Sequence, residues 1–380
     1  MWLLVRFARV MDGQGPGFHI LPYEKTTLVY LDSTGNGARS AVAGVPLRSD
    51  DGLRRCKAVG RLEMTYGLQI GAQGKEEIEI SRHGMGQGLL ISAHRTMEAA
   101  TLEKSWILRL VADGGYLVLR GFSPSIERFS ALVRSVCSRT MLDPAREFSA
   151  GMTVQKVDIG TGEIGLHVEH GTNPLTPHLT WFFCRRAARK GSQTTVCDGY
   201  RVWDALSVET RRLFRSNDIA YSRNIEEAKW RALASYLLGG AKRDDEITVD
   251  DIVELAKAFG DGFQVKPNDD GSIYYVYRVP AAHATLFGTR LAFANSILGP
   301  SYHYEKPRIT FADGTLLPGD VIAEIDSVSS ALIEEIDWQD GDIAIIDNTR
   351  VMHGRRAVLD PERREIFVAL GYVDSAMPPA

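Results

Sequence analysis

The stretch IGLHVEHGTNPLTPHLTWFFC, residues 164–184, runs from a β-like segment through a turn into an apolar strand. Side chains at i and i+2 of a strand share a face, so His167 and Glu169 point the same way. An imidazole and a carboxylate aimed at one point suit a metal ion. They equally suit an ordinary surface pair, because short H-x-E matches arise often by chance. Gly171, Asn173 and Pro174 between them supply turn chemistry. The metal reading therefore requires a third ligand from elsewhere in the chain.

The bulk properties narrow the setting. With 380 residues the chain can bury a substantial core as one large domain or two modest ones. A formal charge of −4 implies no strong field for nucleic acid or anionic lipid. The short basic run RRAARK, Arg185 to Lys190, reads as a solvated loop face. Apolar runs fall well short of the roughly 20 residues that span a bilayer. The opening MWLLVRFARVMDG is interrupted by charge where a secretory core would continue, and reads as a first strand. Cys56, Cys137, Cys184 and Cys197 form no C-x-x-C pattern, so reduced thiols in a cytoplasmic protein are expected.

Along the chain, residues 1–95 carry Gly and the short β-like runs TTLVYLD, RLEMTYGLQIG, EEIEIS and GLLIS. GNGARS (35–40) and GMGQG (84–88) lack a complete phosphate-loop pattern and read as turns. From about residue 97 the pattern alternates: helix MEAATLEKSWILRLVADGG, strand YLVLRGF, helix SIERFSALVRSVCSR, strand MTVQKVDIG, the quoted stretch, then QTTVCDG and helix YRVWDALSVETRRLFRS. Residues 208–300 read as mostly helical. They include TVDDIVELAKAFG with Thr248 as its N-cap and Asp251 close to a capping box, an aromatic strand SIYYVYRV, and a helix AAHATLFGTRLAFANSIL. Strands return in RITFADGT, GDIAIIDN and REIFVALGYV, around the helix VIAEIDSVSSALIEEI. Strands on both sides of a helical insertion predict an α+β protein. Its core would be a jelly roll (double-stranded β-helix) with flanking helices, rather than a doubly wound parallel sheet. The expected organisation is a β-rich extension over 1–95 and one domain over 96–380 with an insertion at about 208–300.

The third ligand comes from WQDGDIAIIDNTRVMHGRRAVLDPERREIFVALGYV, residues 338–373. GDIAIIDN is a continuous apolar strand stopping at an Asp-Asn turn signal, and His353 follows at a strand-to-loop edge. Two imidazoles and one carboxylate on one side of a metal leave three positions open, the arrangement of a non-haem Fe(II) oxygenase. The open positions would take a bidentate 2-oxo acid and O2. A dicarboxylic cosubstrate also needs a cation for its far end, and arginine's planar fork suits a carboxylate. Arg364 opens the strand REIFVALGYV on the face of Ile366 and Val368; Arg363 is the alternative.

The segments LHVEH, TPHLTWFFCRRAARKGSQTTVCDGYRVWDAL and WQDGDIAIIDNTRVMHGRRAV…RRE together resemble the TauD/TfdA family of Fe(II)/2-oxoglutarate dioxygenases. The clavaminate synthase-like branch and the hydroxylases of nonribosomal peptide pathways are nearest. The resemblance spans about residues 97–376. It implies His167, Glu169 and His353 as iron ligands and Arg364 as the anchor of 2-oxoglutarate. It also implies a threonine after a Gly-rich loop as a second contact, which falls on Thr194, with Thr195 open. The family usually has a Gly pair where this chain has Gly191-Ser192. The implied activity is oxidation of an unactivated C–H bond of an amino acid, an amino-acid derivative or a carrier-tethered intermediate in specialised metabolism. Hydroxylation is favoured over halogenation because Glu169 keeps the carboxylate position; desaturation, epoxidation and cyclisation stay open. A non-oxidative metal enzyme and a binding protein on a cupin-like barrel are the rival classes. No nucleic-acid or membrane partner is expected. A homo-oligomer, through a dimerisation element in residues 1–95, is one of three roles open for that region; a private extension and strands completing the core are the others.

Other polar residues receive plainer readings. His170 should point away from Glu169, and His178, His83, His94 and His19 read as ordinary, while His283 and His303 in the insertion are minor candidates for substrate contact. Asp347 and Asn348 read as turn caps, and Arg355 or Arg356 as a surface charge or a contact to a ligand. Asn295, Ser296, Arg223, Glu226 and Glu227 are minor candidates for substrate contact, with the 208–300 insertion shaping a pocket or lid.

Overall fold

The computed structural model describes residues 29–30, 39–40, 78–122, 124–142, 148–149, 153–157, 160–299 and 306–374. Contacts divide the chain into residues 1–62 and 63–380. In the first unit β1 (Val29–Tyr30) pairs antiparallel with β2 (Arg39–Ser40). The expected strands MWLLVRFARVMDG and RLEMTYGLQIG lie outside the described residues, as do His19 and His303.

The second unit is a mixed α/β fold built on a nine-stranded sheet. Its members are β3 (Ile78–Arg82), β4 (Leu89–Met97), β5 (Tyr116–Phe122), β6 (Arg139–Met141), β7 (Phe148–Ser149), β8 (Val154–Lys156), β10 (Leu179–Arg186), β19 (Ile343–Asp347) and β21 (Glu365–Tyr372). EEIEIS and GLLIS thus provide strands of the main sheet, with GMGQG as the turn between them. β10 lies at the centre, antiparallel to β19 on one side and β21 on the other. A second, four-stranded sheet has the order β18 (Glu334–Ile336), β11 (Thr194–Asp198), β20 (Val351–Arg355), β9 (Ile164–His167).

Strand alternation explains the apolar runs. On β10, Trp181 and Phe183 pack with α1 (Lys104–Gly114) and α2 (Ile126–Val136) through Ile107, Leu110, Phe129 and Leu132. Phe182 and Cys184 face the other way, into a cluster with Ile346 and Val368 of the same sheet and Val196, Ile336 and Val351 of the second sheet. Both faces of the central strands are covered, so LTWFFC and IAII are continuous rather than alternating. The second sheet is covered too: Leu166, Cys197 and Met352 pack outward with α3 (Gly199–Ala205), α4 (Val208–Ser216) and α7 (Gly319–Leu332).

Several local expectations need correction; the helix expected over VIAEIDSVSSALIEEI ends at Leu332, and its Glu334–Ile336 is strand β18. YRVWDALSVETRRLFRS is two helices, α3 and α4, because Ser207 N-caps the second by accepting from the Thr210 amide at 3.1 Å. The helix expected from Met97 starts at Lys104, since Met97 is the last residue of β4 and pairs with Phe122. AAHATLFGTRLAFANSIL is no helix: its apolar residues fit a hairpin of β15 (His283–Thr285) and β16 (Gly288–Ala292) around Leu286-Phe287. His353 lies inside β20 rather than beyond a strand.

The 208–300 region is consequently mixed. β12 (Ile219–Ile225), β13 (Phe263–Pro267), β14 (Ile273–Val279) and β17 (Arg308–Phe311) form a sheet, alongside α5 (Glu227–Leu237) and α6 (Val249–Ala258). Thr248 and Asp251 do form a capping box at the start of α6. No helix among the described residues is long and apolar enough to cross a membrane.

Candidate metal centre

The inner face of the second sheet collects the candidate residues. On β20, Val351 packs inward and Met352 outward, so His353 faces inward. On β9, Leu166 faces outward and His167 inward; just past the strand's end Val168 packs outward, and Glu169, in the turn rather than on the strand the sequence suggested, reaches His353. His167 and His353 are register partners on adjacent antiparallel strands. Their ring centroids lie 4.5 Å apart. His353 Nε2 lies 3.5 Å from Glu169 Oε2. One ligand atom from each of His167, Glu169 and His353 falls within 4.8 Å of the others.

The donor set fits a divalent cation. Nitrogen and carboxylate ligands bind a zinc-sized ion at about 2.0–2.2 Å, which puts neighbouring ligand atoms about 3 Å apart. His167 Nδ1 lies 2.9 Å from the Gly165 carbonyl oxygen. A proton on Nδ1 shared with that carbonyl leaves the Nε2 lone pair for a metal. His353 is 3 % exposed and Phe182 packs edge-on against it at 5.5 Å.

Glu169 is held through its backbone. Its amide donates to Asn348 Oδ1 at 2.8 Å, and Asn348 Nδ2 donates to the Glu169 carbonyl at 3.1 Å and the Pro177 carbonyl at 3.0 Å. Asn348 was legible only as a turn residue; nothing local in the sequence signals its reach across to residue 169.

The two arginine alternatives diverge. Arg363 donates to the Ala187 carbonyl and to the half-exposed Asp340. Arg364 sits half-buried, with Nε donating to Ser192 Oγ at 2.6 Å and Nη1 to the Val157 carbonyl at 2.6 Å. It precedes Ile366 and Val368 on the face that meets the second sheet. Ser192 is buried and holds a left-handed backbone, φ 69°, where glycine would be unstrained. Thr194 shares the inward face with Val196 and accepts from Trp338 Nε1 at 3.0 Å, while Thr195 faces outward with Cys197.

Several minor candidates hold structure instead. Arg355 donates to the carbonyls of Gly160 and Gly162, and Arg356 pairs with Glu163 and Glu335. Ser296 Oγ donates to the Val168 carbonyl, and Asn295 to that of Ala281. His283 bridges carbonyl oxygens of its own hairpin region, and His178 accepts from the Val373 amide. Glu226 and Glu227 pair with Lys229 and Arg231 on α5.

Residues 85–370 match the model of the taurine catabolism dioxygenase TauD, TfdA family. The chain belongs to this family, and is thereby an Fe(II)- and 2-oxoglutarate-dependent dioxygenase. It is 25% identical over 293 residues to the dapdiamide synthesis protein DdaC of Enterobacter agglomerans, covering 71% of this chain and 85% of that protein. A clavaminate synthase-like protein of Arabidopsis thaliana is 24% identical over 212 residues, 53% of this chain and 63% of the relative. The crystal structure of PvcB from Pseudomonas aeruginosa superposes with a TM-score of 0.50 at 14% identity, covering 80% of this chain and 95% of PvcB.

Proposed function

We propose that His167, Glu169 and His353 hold Fe(II) and that Arg364 and Thr194 receive the far carboxylate of 2-oxoglutarate, on a jelly-roll core formed by the two large sheets. The observation that carries this reading is the convergence of three ligand atoms within 4.8 Å from segments far apart in the chain. When bound, iron and 2-oxoglutarate supply, with O2, the oxidising power to hydroxylate an unactivated C–H bond.

The chain's own residues orient and insulate that chemistry. Gly165 fixes the His167 tautomer, and Asn348 fixes the Glu169 backbone. Ser192 and Val157 set the plane of the Arg364 guanidinium, the group this reading assigns to the far carboxylate. Phe182 and Trp338 are apolar walls that keep water from the His353 side. The substrate reading is an amino acid, an amino-acid derivative or a carrier-tethered intermediate, supported by the likeness to a dapdiamide synthesis protein.

The test is spectroscopic. Anaerobic addition of Fe(II) and 2-oxoglutarate should give a visible charge-transfer band in the wild type and none in His353→Ala. Succinate should form from 2-oxoglutarate once a substrate is supplied. A wild-type protein that binds Fe(II) but shows no band with 2-oxoglutarate would overturn the reading.

A further inference from the structure

Gly191 and Ser192 both hold left-handed backbone, with φ of 73° and 69°. The segment is clamped in that shape. The Ser192 amide donates to the Ala357 carbonyl at 2.9 Å, and Gly191 bridges to Val358. A Cβ at Gly191 would run into the Ala357 carbonyl oxygen, so glycine is needed there. At position 192 glycine would again be the relaxed choice, because an L side chain disfavours positive φ. Serine stands there instead, and it is buried. Strained backbone that keeps a particular side chain points to a use for that side chain.

The hydroxyl has a specific neighbour. Arg364 Nε donates to Ser192 Oγ at 2.6 Å. A guanidinium can only donate, so the hydroxyl oxygen is the acceptor and its own proton goes elsewhere. Among the described residues none takes that proton. Thr194, two residues on and also buried, repeats the arrangement. It accepts from the indole Nε1 of Trp338 at 3.0 Å, another group that can only donate, and none of the described residues takes its proton either. Buried donors are nearly always partnered. Two buried hydroxyls, each turned into a donor by a neighbour that cannot accept, are complementary to an acceptor-only group. An ionised carboxylate is such a group.

We infer that Ser192 is a third contact to the far carboxylate of 2-oxoglutarate: Arg364 Nε fixes its hydroxyl oxygen, and the hydroxyl proton goes to the carboxylate. The inference rests on the proposed reading of Arg364 and Thr194 as the cosubstrate anchor. Glycine at 192 would relax the backbone, but it would remove one donor to the ligand and the acceptor for Arg364 Nε. Serine therefore costs the fold and serves the ligand.

The experiment adds 2-oxoglutarate without oxygen to the Fe(II)-loaded full chain and follows the visible band in wild type, Ser192→Gly and Ser192→Ala. Thermal unfolding of each protein runs alongside. Both variants should raise the Kd for 2-oxoglutarate about tenfold, as expected when a hydrogen bond to a charged group is lost. Fe(II) affinity and the position of the band should stay as in the wild type. Ser192→Gly should unfold no earlier than the wild type, because its backbone strain is relieved; should Ser192→Ala fail to fold, the glycine variant carries the comparison. A purely structural serine would instead lower the Tm in both variants and leave the Kd unchanged. In an Arg364→Ala background, Ser192→Gly should still weaken 2-oxoglutarate further, with Arg364→Lys as the background where the alanine variant binds too weakly to titrate. No further loss would show the hydroxyl acting only through the arginine and overturn the direct contact. A Kd within about twofold of wild type in Ser192→Gly would overturn the inference outright. Absence of the band in wild type with Fe(II) bound would instead remove the cosubstrate reading itself, and this inference with it.

Discussion

Asn348 grips both backbone polar groups of Glu169: its side-chain oxygen accepts from the Glu169 amide and its side-chain nitrogen donates to the Glu169 carbonyl. Asn348 is 1 % exposed, so water cannot replace it readily. Truncation to alanine strands three backbone partners, of which the Pro177 carbonyl is buried and the two Glu169 groups are part-buried. Each stranded buried group costs about 1–3 kcal/mol. Groups that orient metal ligands typically change metal affinity about 10–100-fold when lost. Asn348→Ala should therefore lower both the Tm and the Fe(II) affinity, measured by thermal unfolding and chelator competition. Asn348→Asp keeps the acceptor for the Glu169 amide but turns a buried carboxylate oxygen toward the Glu169 and Pro177 carbonyls, so it should be no milder. An alanine variant with wild-type Fe(II) affinity would contradict the positioning role.

The Arg363 and Arg364 pair gives a sharper contrast. On the proposed reading, Arg364→Ala should raise the Kd for 2-oxoglutarate strongly, because the charge-assisted contact proposed for it would be lost, while Fe(II) binding persists. Arg363→Ala removes a contact to the exposed Asp340 and the Ala187 carbonyl and should leave the Kd within about twofold. Titration of 2-oxoglutarate into each Fe(II)-loaded variant, followed by the visible band, distinguishes them. A reversed order would move the anchor to Arg363.

Much of this site was readable because strand periodicity of two carries facing information. H-x-E at 167 and 169 and the continuous run ending at Asp347 are strand signals, and the inward face follows from either strand alone. What the sequence hid were relationships between segments. Asn348 looks like a turn cap because its local environment is a turn; its partner at 169 is set by the docking of β9's end against the end of β19. The hairpin β15–β16 looked helical because its apolar residues recur at both spacings, and tertiary packing against α3 and β12 decides between them. A regular strand would turn His170 away from Glu169; its positive φ breaks that regularity.

Asp347 makes a pH prediction. It is fully buried, and burial pushes its carboxyl up from 3.8 to about 6, against the opposing hydrogen bonds from Thr349. A carboxyl with a raised folded pKa keeps its proton in the native state after the unfolded chain has released it. Its contribution to stability is thus fully present below the unfolded value and is lost as pH rises through the folded one. Relative to Asp347→Asn, the wild type should lose stability between about pH 4 and about pH 7, by up to roughly 3 kcal/mol. Parallel Tm profiles of the two proteins across that window would show that Asp347 does not titrate there.

Gly354 separates His353 from Arg355 on β20, the strand between β9 and β11. A Cβ at this position would run into the Ile164 carbonyl oxygen and sit 2.7 Å from Thr195 Oγ1. The first contact is to backbone, which cannot swing aside, so β9 and β20 must move apart to admit even a methyl group. That is the strand pair whose register opposes His167 to His353. Gly354→Ala should therefore cost on the order of 1–3 kcal/mol in stability. It should also weaken Fe(II) binding, although it removes no ligand. Thr195→Ala alone relieves only the side-chain contact, so the double variant should recover little of the loss. Full recovery of Fe(II) affinity in the double variant would place the constraint in the Thr195 hydroxyl rather than in the approach of the two backbones.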